Sequence, residues 1–402
     1  MKIILLIFFA TRCFSTELMD EIDQILLEFE AQRQNNKPVN TESEFANNNE
    51  NVVDNNNLFN VPKNTECTDE CVPFYQCNEN GSIITTGENL IDIRSNDGPC
   101  GNAFLSCCKL EFVTNQRFSP NKPASSSCGH RRPDGIGLRI TGTQNEAQFA
   151  EFPWMVSIIK SGWSPVSNPR PACGGSLIHP RAVVTAAHCV INRSQRWKVR
   201  AGEWDINRTI EPIPYQEVDV HTVVIHNAYY PGALFNDIAL LYLVSPIKLV
   251  ENTGTICLPP QDYRHKKNRC YSTGWGKDKF GKQGKYHDIL KKIDLPVVTN
   301  THCQSSLRKT RLGRLFQLHS SFMCAGGEKD KDACNGDGGG PLACPIDGKE
   351  NRYYQAGIIS WGVGCGEENV PGVYTDVAKF RYWIDDTMRR FNLDTTSYTV
   401  DD

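Results

Sequence analysis

Hydrophobic and polar positions change rhythm several times along this chain. After Met1-Lys2, residues Ile3 to Ala10 are uninterruptedly apolar. That form, a basic start followed by a short apolar run, is expected of a secretory signal peptide over residues 1–16 and is too short to span a bilayer. Leu18, Met19, Ile22, Ile25, Leu26 and Phe29 then recur at helical spacing and predict a short amphipathic helix. From Gln32 to Asn60 asparagine dominates and large apolar residues are few. Residues 17–64 are therefore expected as disordered Asn-rich linker rather than as a binding motif. Farther on, β-branched and aromatic runs such as Phe152-Pro153-Trp154-Met155-Val156-Ser157-Ile158 are bounded by Gly, Pro and Asn. They predict many short strands and a mainly β domain. No later apolar run is long enough to cross a membrane.

At 402 residues the chain has room for two or three domains. A net charge of −3 makes no electrostatic case for a nucleic-acid partner. The 17 cysteines point to an oxidising compartment, and with Cys13 in the expected signal an even number remains. Asn80, Asn192 and Asn207 lie in Asn-x-Ser/Thr sequons that export would open to glycosylation. Cys67, Cys71, Cys77, Cys100, Cys107 and Cys108 are spaced C-x3-C-x5-C-x22-C-x6-C-C. A module of about 45 residues buries too little apolar surface to stand alone, so cross-links must supplement its core. Six cysteines allow fifteen pairings, and spacing does not choose among them. Residues 110–139, rich in Ser, Pro and Asn and containing Cys128, read as a second linker.

The chemistry-bearing stretch is Ala333-Cys334-Asn335-Gly336-Asp337-Gly338-Gly339-Gly340-Pro341-Leu342. It resembles the nucleophile loop of the chymotrypsin/trypsin family, Gly-Asp-Ser-Gly-Gly-Pro, with Gly338 at the serine position. Thr185-Ala186-Ala187-His188-Cys189 matches the family's base motif and Asn236-Asp237-Ile238-Ala239-Leu240-Leu241 its acid motif, in the family's chain order. The cysteine module, with its closing Cys107-Cys108, resembles the clip domain of arthropod extracellular proteases. Together they resemble the clip-domain serine protease homologues, and within them the phenoloxidase-activating factors of arthropod haemolymph.

That resemblance implies a clip domain over residues 65–109 and a chymotrypsin-like double antiparallel β-barrel over 140–391, opening at Ile140-Thr141-Gly142-Thr143. It also implies a docked C-terminal helix within Val377–Arg390, apolar at Phe380, Trp383, Ile384 and Met388, then a tail over 392–402. The implied disulfides are Cys67–Cys107, Cys71–Cys100, Cys77–Cys108, Cys128–Cys257, Cys173–Cys189, Cys270–Cys344, Cys303–Cys324 and Cys334–Cys365. His188 and Asp237 would be the vestigial base and orienter, and the amides of Gly336 and Gly338 the oxyanion donors. With no hydroxyl at 338, nothing carries an acyl group, and binding plus the oxyanion hole leave about 10³–10⁴-fold acceleration over water, too little for a protease.

Asp332 matches the base of a trypsin-like specificity pocket, with Ser360, Trp361, Gly362 and Gly372 as its walls. It reads either as a docking site for Arg or Lys or as a buried relic. Arg139, before Ile140, and Arg94, inside the Cys77–Cys100 loop, are the two candidate cleavage sites. A cut at Arg139 would free an amine to pair with Asp337, leaving two chains joined by Cys128–Cys257. Glu203 and Glu217 lie where some trypsin-like members bind calcium, or else are merely solvated. The implied function is that of a secreted, non-catalytic cofactor in melanisation and innate immunity. Upstream clip proteases would cleave it, after which it would assemble with itself and help prophenoloxidase become phenoloxidase. The rivals are an immune recognition or adhesion protein and a decoy that occupies trypsin-like proteases.

Overall fold

The computed structural model describes residues 67–73, 100, 105–112, 127–136, 145–162, 170–207, 211–265, 268–277, 284–329, 331, 337–364 and 366–401. The expected signal peptide, amphipathic helix and Asn-rich stretch lie outside these residues, as do Cys77, Asn80, Arg94, Arg139, Asp332, Cys334, Gly336 and Cys365.

The first described element is a two-stranded antiparallel ribbon, β1 (Glu70–Pro73) with β2 (Leu105–Cys108). Among the described residues Val72, Cys100, Leu105 and Cys108 are buried here, and two strands alone are marginal without further support. Disulfides Cys67–Cys107 and Cys71–Cys100 clamp it, and Cys108 is disulfide-bonded as well. Each cross-link acts chiefly by restricting the unfolded chain.

Twelve further strands close into two antiparallel barrels of six. The first contains β3 (Met155–Lys160), β4 (Cys173–His179), β5 (Ala182–Thr185), β6 (Trp197–Ala201), β7 (Gln216–Ile225) and β8 (Ala239–Leu243), in the order β3-β4-β5-β8-β7-β6. The second contains β9 (Arg269–Gly274), β10 (Lys291–Val298), β11 (Phe322–Gly326), β12 (Pro341–Pro345), β13 (Tyr353–Trp361) and β14 (Pro371–Asp376), in the order β10-β11-β14-β13-β12-β9. Closure leaves no unpaired strand edge. The runs of Val, Ile, Leu and Ala in β4, β5 and β8 are buried throughout, whereas β7 keeps alternate residues toward water. Trp154, Trp204, Phe149, Leu177 and Leu240 fill the first core, with Phe149 set edge-on to Trp204 at 6.1 Å.

Among the described residues three α-helices decorate the barrels: α1 (Ala187–Val190), α2 (Asn300–Leu307) and α3 (Arg381–Arg390). Thr299 caps α2 by accepting the amide of His302, and Cys303 joins it to Cys324 on β11. In α3, Ile384 and Met388 face the core, while Trp383 is only partly buried. The chain does not leave the fold after Phe391. Tyr398 is fully buried, donates its hydroxyl to Asp385 and lies under the Arg381 guanidinium, so the expected tail is part of the packed body through Asp401.

The segment 127–136, read from composition as linker, is likewise fixed. Cys128 joins Cys257, and His130 bridges to Arg352. Arg131 reaches the fully buried Glu151 and lies 4.1 Å from the ring centre of Tyr271.

Candidate functional site

The junction of the two barrels gathers the motif residues. Strand β5 ends at Thr185, and after Ala186 the chain turns at once into α1, which holds His188 over the cleft. Asp237 precedes β8 on a turn whose Asn236 sits at φ +56°. That turn is tied down by the Asn236 amide donating to Ser321 Oγ and its side chain donating to the Ala228 carbonyl. Asp237 is fully buried, so its carboxylate must be satisfied within the protein. It is: Oδ1 accepts the His188 amide at 2.9 Å, and Oδ2 accepts Ser360 Oγ at 2.6 Å. His188 Nδ1 lies 2.7 Å from the same Oδ2. A carboxylate only accepts, so Nδ1 carries the proton and Nε2 is turned toward the cleft.

Nε2 faces Gly338. A β-carbon built on Gly338 would stand 2.9 Å from Nε2 and 3.4 Å from Cε1, closer than a real side chain sits without some shift of the ring. The turn carrying Gly338 is held on three sides. Its carbonyl accepts the Gly174 amide, Gly339 donates to the Ile359 carbonyl, and Gly340 donates to the Asp337 carbonyl. Cys173–Cys189 links the strand under this turn to the helix of the histidine. Asp337 accepts the Gly276 amide at 2.7 Å and packs so tightly on Gly274 and Gly276 that a β-carbon on either would overlap its carboxylate. The base and orienter of a hydrolase are thus assembled, and the position they serve carries no group that can attack a carbonyl.

Of the expected pocket walls, Ser360 is buried beneath Asp237, and Trp361 ends β13 with Phe316 and Phe322 edge-on at 6.0 Å and 5.9 Å. Gly362 is exposed, and a β-carbon there would meet only the Gly364 carbonyl, at 3.6 Å, so this wall is open. Gly372 lies on β14 opposite Ala325. Asp332 and Gly336 lie outside the described residues.

Comparison with known proteins agrees with this geometry. The trypsin family matches residues 141–384, and the family described as Serine protease Clip domain PPAF-2 matches residues 59–109. The chain belongs to the clip-domain serine protease homologues. Phenoloxidase-activating factor 2 of Galleria mellonella is 51% identical over 284 residues, covering 68% of this chain and 93% of that protein. The inactive CLIP domain-containing serine proteases A8 and A28 of Anopheles gambiae are 38% and 36% identical, each covering 79% of this chain and 88% of its own length.

In this clip-domain homologue the two expected calcium ligands, Glu203 and Glu217, both pair with Arg200. The Arg200 guanidinium fills the place between the two glutamates, with Nη1 2.9 Å from Glu203 Oε2 and Nη2 3.1 Å from Glu217 Oε2. Lys198 adds a second cation at 2.8 Å from Glu217. Glu217 sits on β7, directly opposite Arg200 in the strand register, rather than in a loop. Burial pushes the Glu217 carboxyl up, but Lys198 and Arg200 outweigh it and hold it below its ordinary value. Glu203 and Glu217 are thus joined through the Arg200 guanidinium.

Glu203 has a second partner that no motif announced. The buried Glu211 accepts the amides of Trp204 and Asp205 through Oε1, at 2.8 Å and 3.0 Å, while Glu203 Oε1 also accepts the Trp204 amide. Burial raises both acids, Glu211 the further because the charge of Glu203 adds to it. Glu211 Oε2 receives no hydrogen bond.

Other residues that the sequence did not announce serve the dyad. Thr375 Oγ1 donates to the Asp237 carbonyl at 2.9 Å, and Ser321 holds the preceding turn. Their signal was indirect: a buried aspartate after a positive-φ asparagine demands donors from a neighbouring strand. Asn192 and Asn207 are exposed, each in a turn closed by an Asx-type hydrogen bond. Among the described residues no helix is long and apolar enough to cross a membrane.

Proposed function

We propose that this chain is a non-catalytic clip-domain homologue that acts, after proteolytic cleavage, as a cofactor in prophenoloxidase activation. The observation that carries this reading is Gly338 beside the ordered His188–Asp237 pair. The cleft keeps its shape and its buried charge network but has no nucleophile, so what it retains is the capacity to bind. The relatives support the same reading: one is named a phenoloxidase-activating factor and others are named inactive clip-domain proteases.

In this reading the protein is secreted into haemolymph, and an upstream clip protease cuts it after Arg139 or Arg94. The body then assembles with itself and with prophenoloxidase or phenoloxidase. Asp332 at the base of the pocket holds a basic side chain of a partner without cutting it, and Gly336 with Gly338 presents amides to its carbonyl. Cys128–Cys257 keeps the cut pieces together. Cys77–Cys108 and Cys334–Cys365 complete the set of cross-links in the two modules.

The test is a reconstitution of purified chain, activating protease and prophenoloxidase, with each component left out in turn. Melanin formation should depend on the cleaved chain. Equal melanin formation with and without it removes the cofactor reading.

A further inference from the structure

From Leu295 to Gly327 the sequence contains no Asp or Glu, yet it carries Arg308, Lys309, Arg311 and Arg314 within seven positions. These four occupy the turn that follows α2. Among the described residues none of them has a carboxylate within ion-pair distance, although some exposed cations elsewhere do: Lys379 has Asp262 and Arg390 has Asp386. Lys309, Arg311 and Arg314 are exposed, and the next side chain, Leu315, is 95% exposed. An apolar residue left that open, flanked by cations without carboxylate partners, is the combination that stands out on this surface.

The loop is not slack. Lys309, Thr310, Gly313 and Phe316 each donate a backbone hydrogen bond within it, Arg308 Nε donates to the Phe316 carbonyl at 2.8 Å, and the Leu318 amide donates to Gln304 Oε1. Its inner face, Leu307, Leu312 and Phe316, packs with Phe322 and Trp361 in one apolar cluster. The outward groups are therefore presented by a fixed frame beside Trp361, and little ordering is left to be done on binding.

We propose that the 308–315 loop is a docking site for an acidic, extended segment of a partner polypeptide that carries a large apolar side chain. Arg311 and Arg314 offer planar forks that match carboxylates, and Lys309 adds a point charge. Leu315 requires an apolar counterpart, which a sulfated polysaccharide lacks. A membrane surface is disfavoured because one leucine buries far less than an acyl chain, and a single acyl chain already binds a bilayer only marginally. The proposal does not depend on the phenoloxidase reading.

The experiment uses the full chain and a fluorescein-labelled twelve-residue peptide of Glu and Asp with one central Phe, about that length being enough to cross the loop. Binding is followed by fluorescence anisotropy at about 50 mM and about 300 mM salt. The peptide should bind saturably and more weakly at the higher salt. Lys309→Glu/Arg311→Glu/Arg314→Glu should weaken binding about tenfold or more, and Leu315→Ser about threefold. The pair Arg193→Glu/Arg196→Glu, exposed cations just before β6 of the first barrel, should leave affinity unchanged. If the glutamate triple fails to fold by its thermal midpoint, the glutamine triple at the same positions replaces it. The proposal is overturned by absent saturable peptide binding, or by equal affinity of the triple variant and the unaltered chain. It is equally overturned if heparin or phosphatidylserine vesicles bind more tightly than the peptide through the same three cations.

Discussion

Nε2 of His188 lies 2.9 Å from the point at which a side chain on Gly338 would begin. The imidazole is the tip of a movable side chain, one whose Nδ1 remains tethered to Asp237 at 2.7 Å. A serine at 338 can therefore be received by a small retreat of the ring, after which Oγ and Nε2 are neighbours. Gly338→Ser, cleaved after Arg139, should hydrolyse an arginyl anilide about 100-fold faster than the unaltered chain, or more. Gly338→Ala adds the same crowding without the hydroxyl and should give no gain. Comparable turnover by the unaltered chain and the serine variant would show that the missing oxygen is irrelevant, and the non-catalytic reading would fall.

The acid pair of Glu203 and Glu211 makes a prediction about pH. Burial, followed by the charge of Glu203, raises the Glu211 carboxyl well above its ordinary value, so the folded protein holds a proton that the unfolded chain releases. The stability linked to this group is fully present below the ordinary glutamate value. It declines as pH rises from there through the raised folded value, then levels off. Glu211→Gln keeps an oxygen to accept the Trp204 and Asp205 amides and an N–H to donate to Glu203. The thermal midpoint of the Gln variant should gain on the unaltered chain steadily as pH rises across that window. A constant offset between the two at all pH values would show that Glu211 does not carry the proton.

Arg131 predicts how the pieces behave once cut. Its guanidinium donates to the fully buried Glu151 and to Tyr353 Oη, at 2.9 Å and 3.1 Å, and stacks on Tyr271. Removing it leaves Glu151 with Lys292 as its remaining cation, at 2.7 Å. Arg131→Ala should cost about 3 kcal/mol, the scale for breaking a buried pair. In the chain cut after Arg139, mild reduction of Cys128–Cys257 should leave the 127–136 segment bound to the barrel, whereas Arg131→Ala should release it on gel filtration. Release of the unaltered segment on reduction alone would mean that the disulfide is its only anchor.

These cases also mark what the sequence could disclose. His188, Asp237 and Gly338 were legible because each sits in a short motif whose local geometry travels with it, and the strands were legible from apolar runs cut by Gly, Pro and Asn. Arg200 was not, because its place between Glu203 and Glu217 exists only once β6 and β7 pair in register. The two acids that sequence offers as candidate calcium ligands are joined by a side chain of β6. Arg131 and Tyr398 were hidden for a similar reason. Both lie in stretches whose composition says linker or tail, and their burial is imposed by a barrel distant in sequence.

Gly339 is the sharpest case of a residue fixed by its surroundings. Its φ of +81° is a conformation that L side chains rarely adopt, and a β-carbon there would stand 2.3 Å from Thr185 Oγ1 and 2.5 Å from the Gly174 carbonyl. Thr185 Oγ1 already donates to that carbonyl at 2.8 Å, and neither backbone nor threonine can retreat within the buried strands β4 and β5. Gly339→Ala should therefore destabilise the barrel by about 3–5 kcal/mol, strain and overlap together. By displacing the turn, it should also loosen the Gly338 carbonyl from the Gly174 amide, which hydrogen exchange at Gly174 would report. Gly362→Ala meets only ordinary contact in its open wall and should leave the thermal midpoint nearly unchanged. If the two alanine variants lose stability equally, the turn at 337–340 is not held as rigidly as its hydrogen bonds imply.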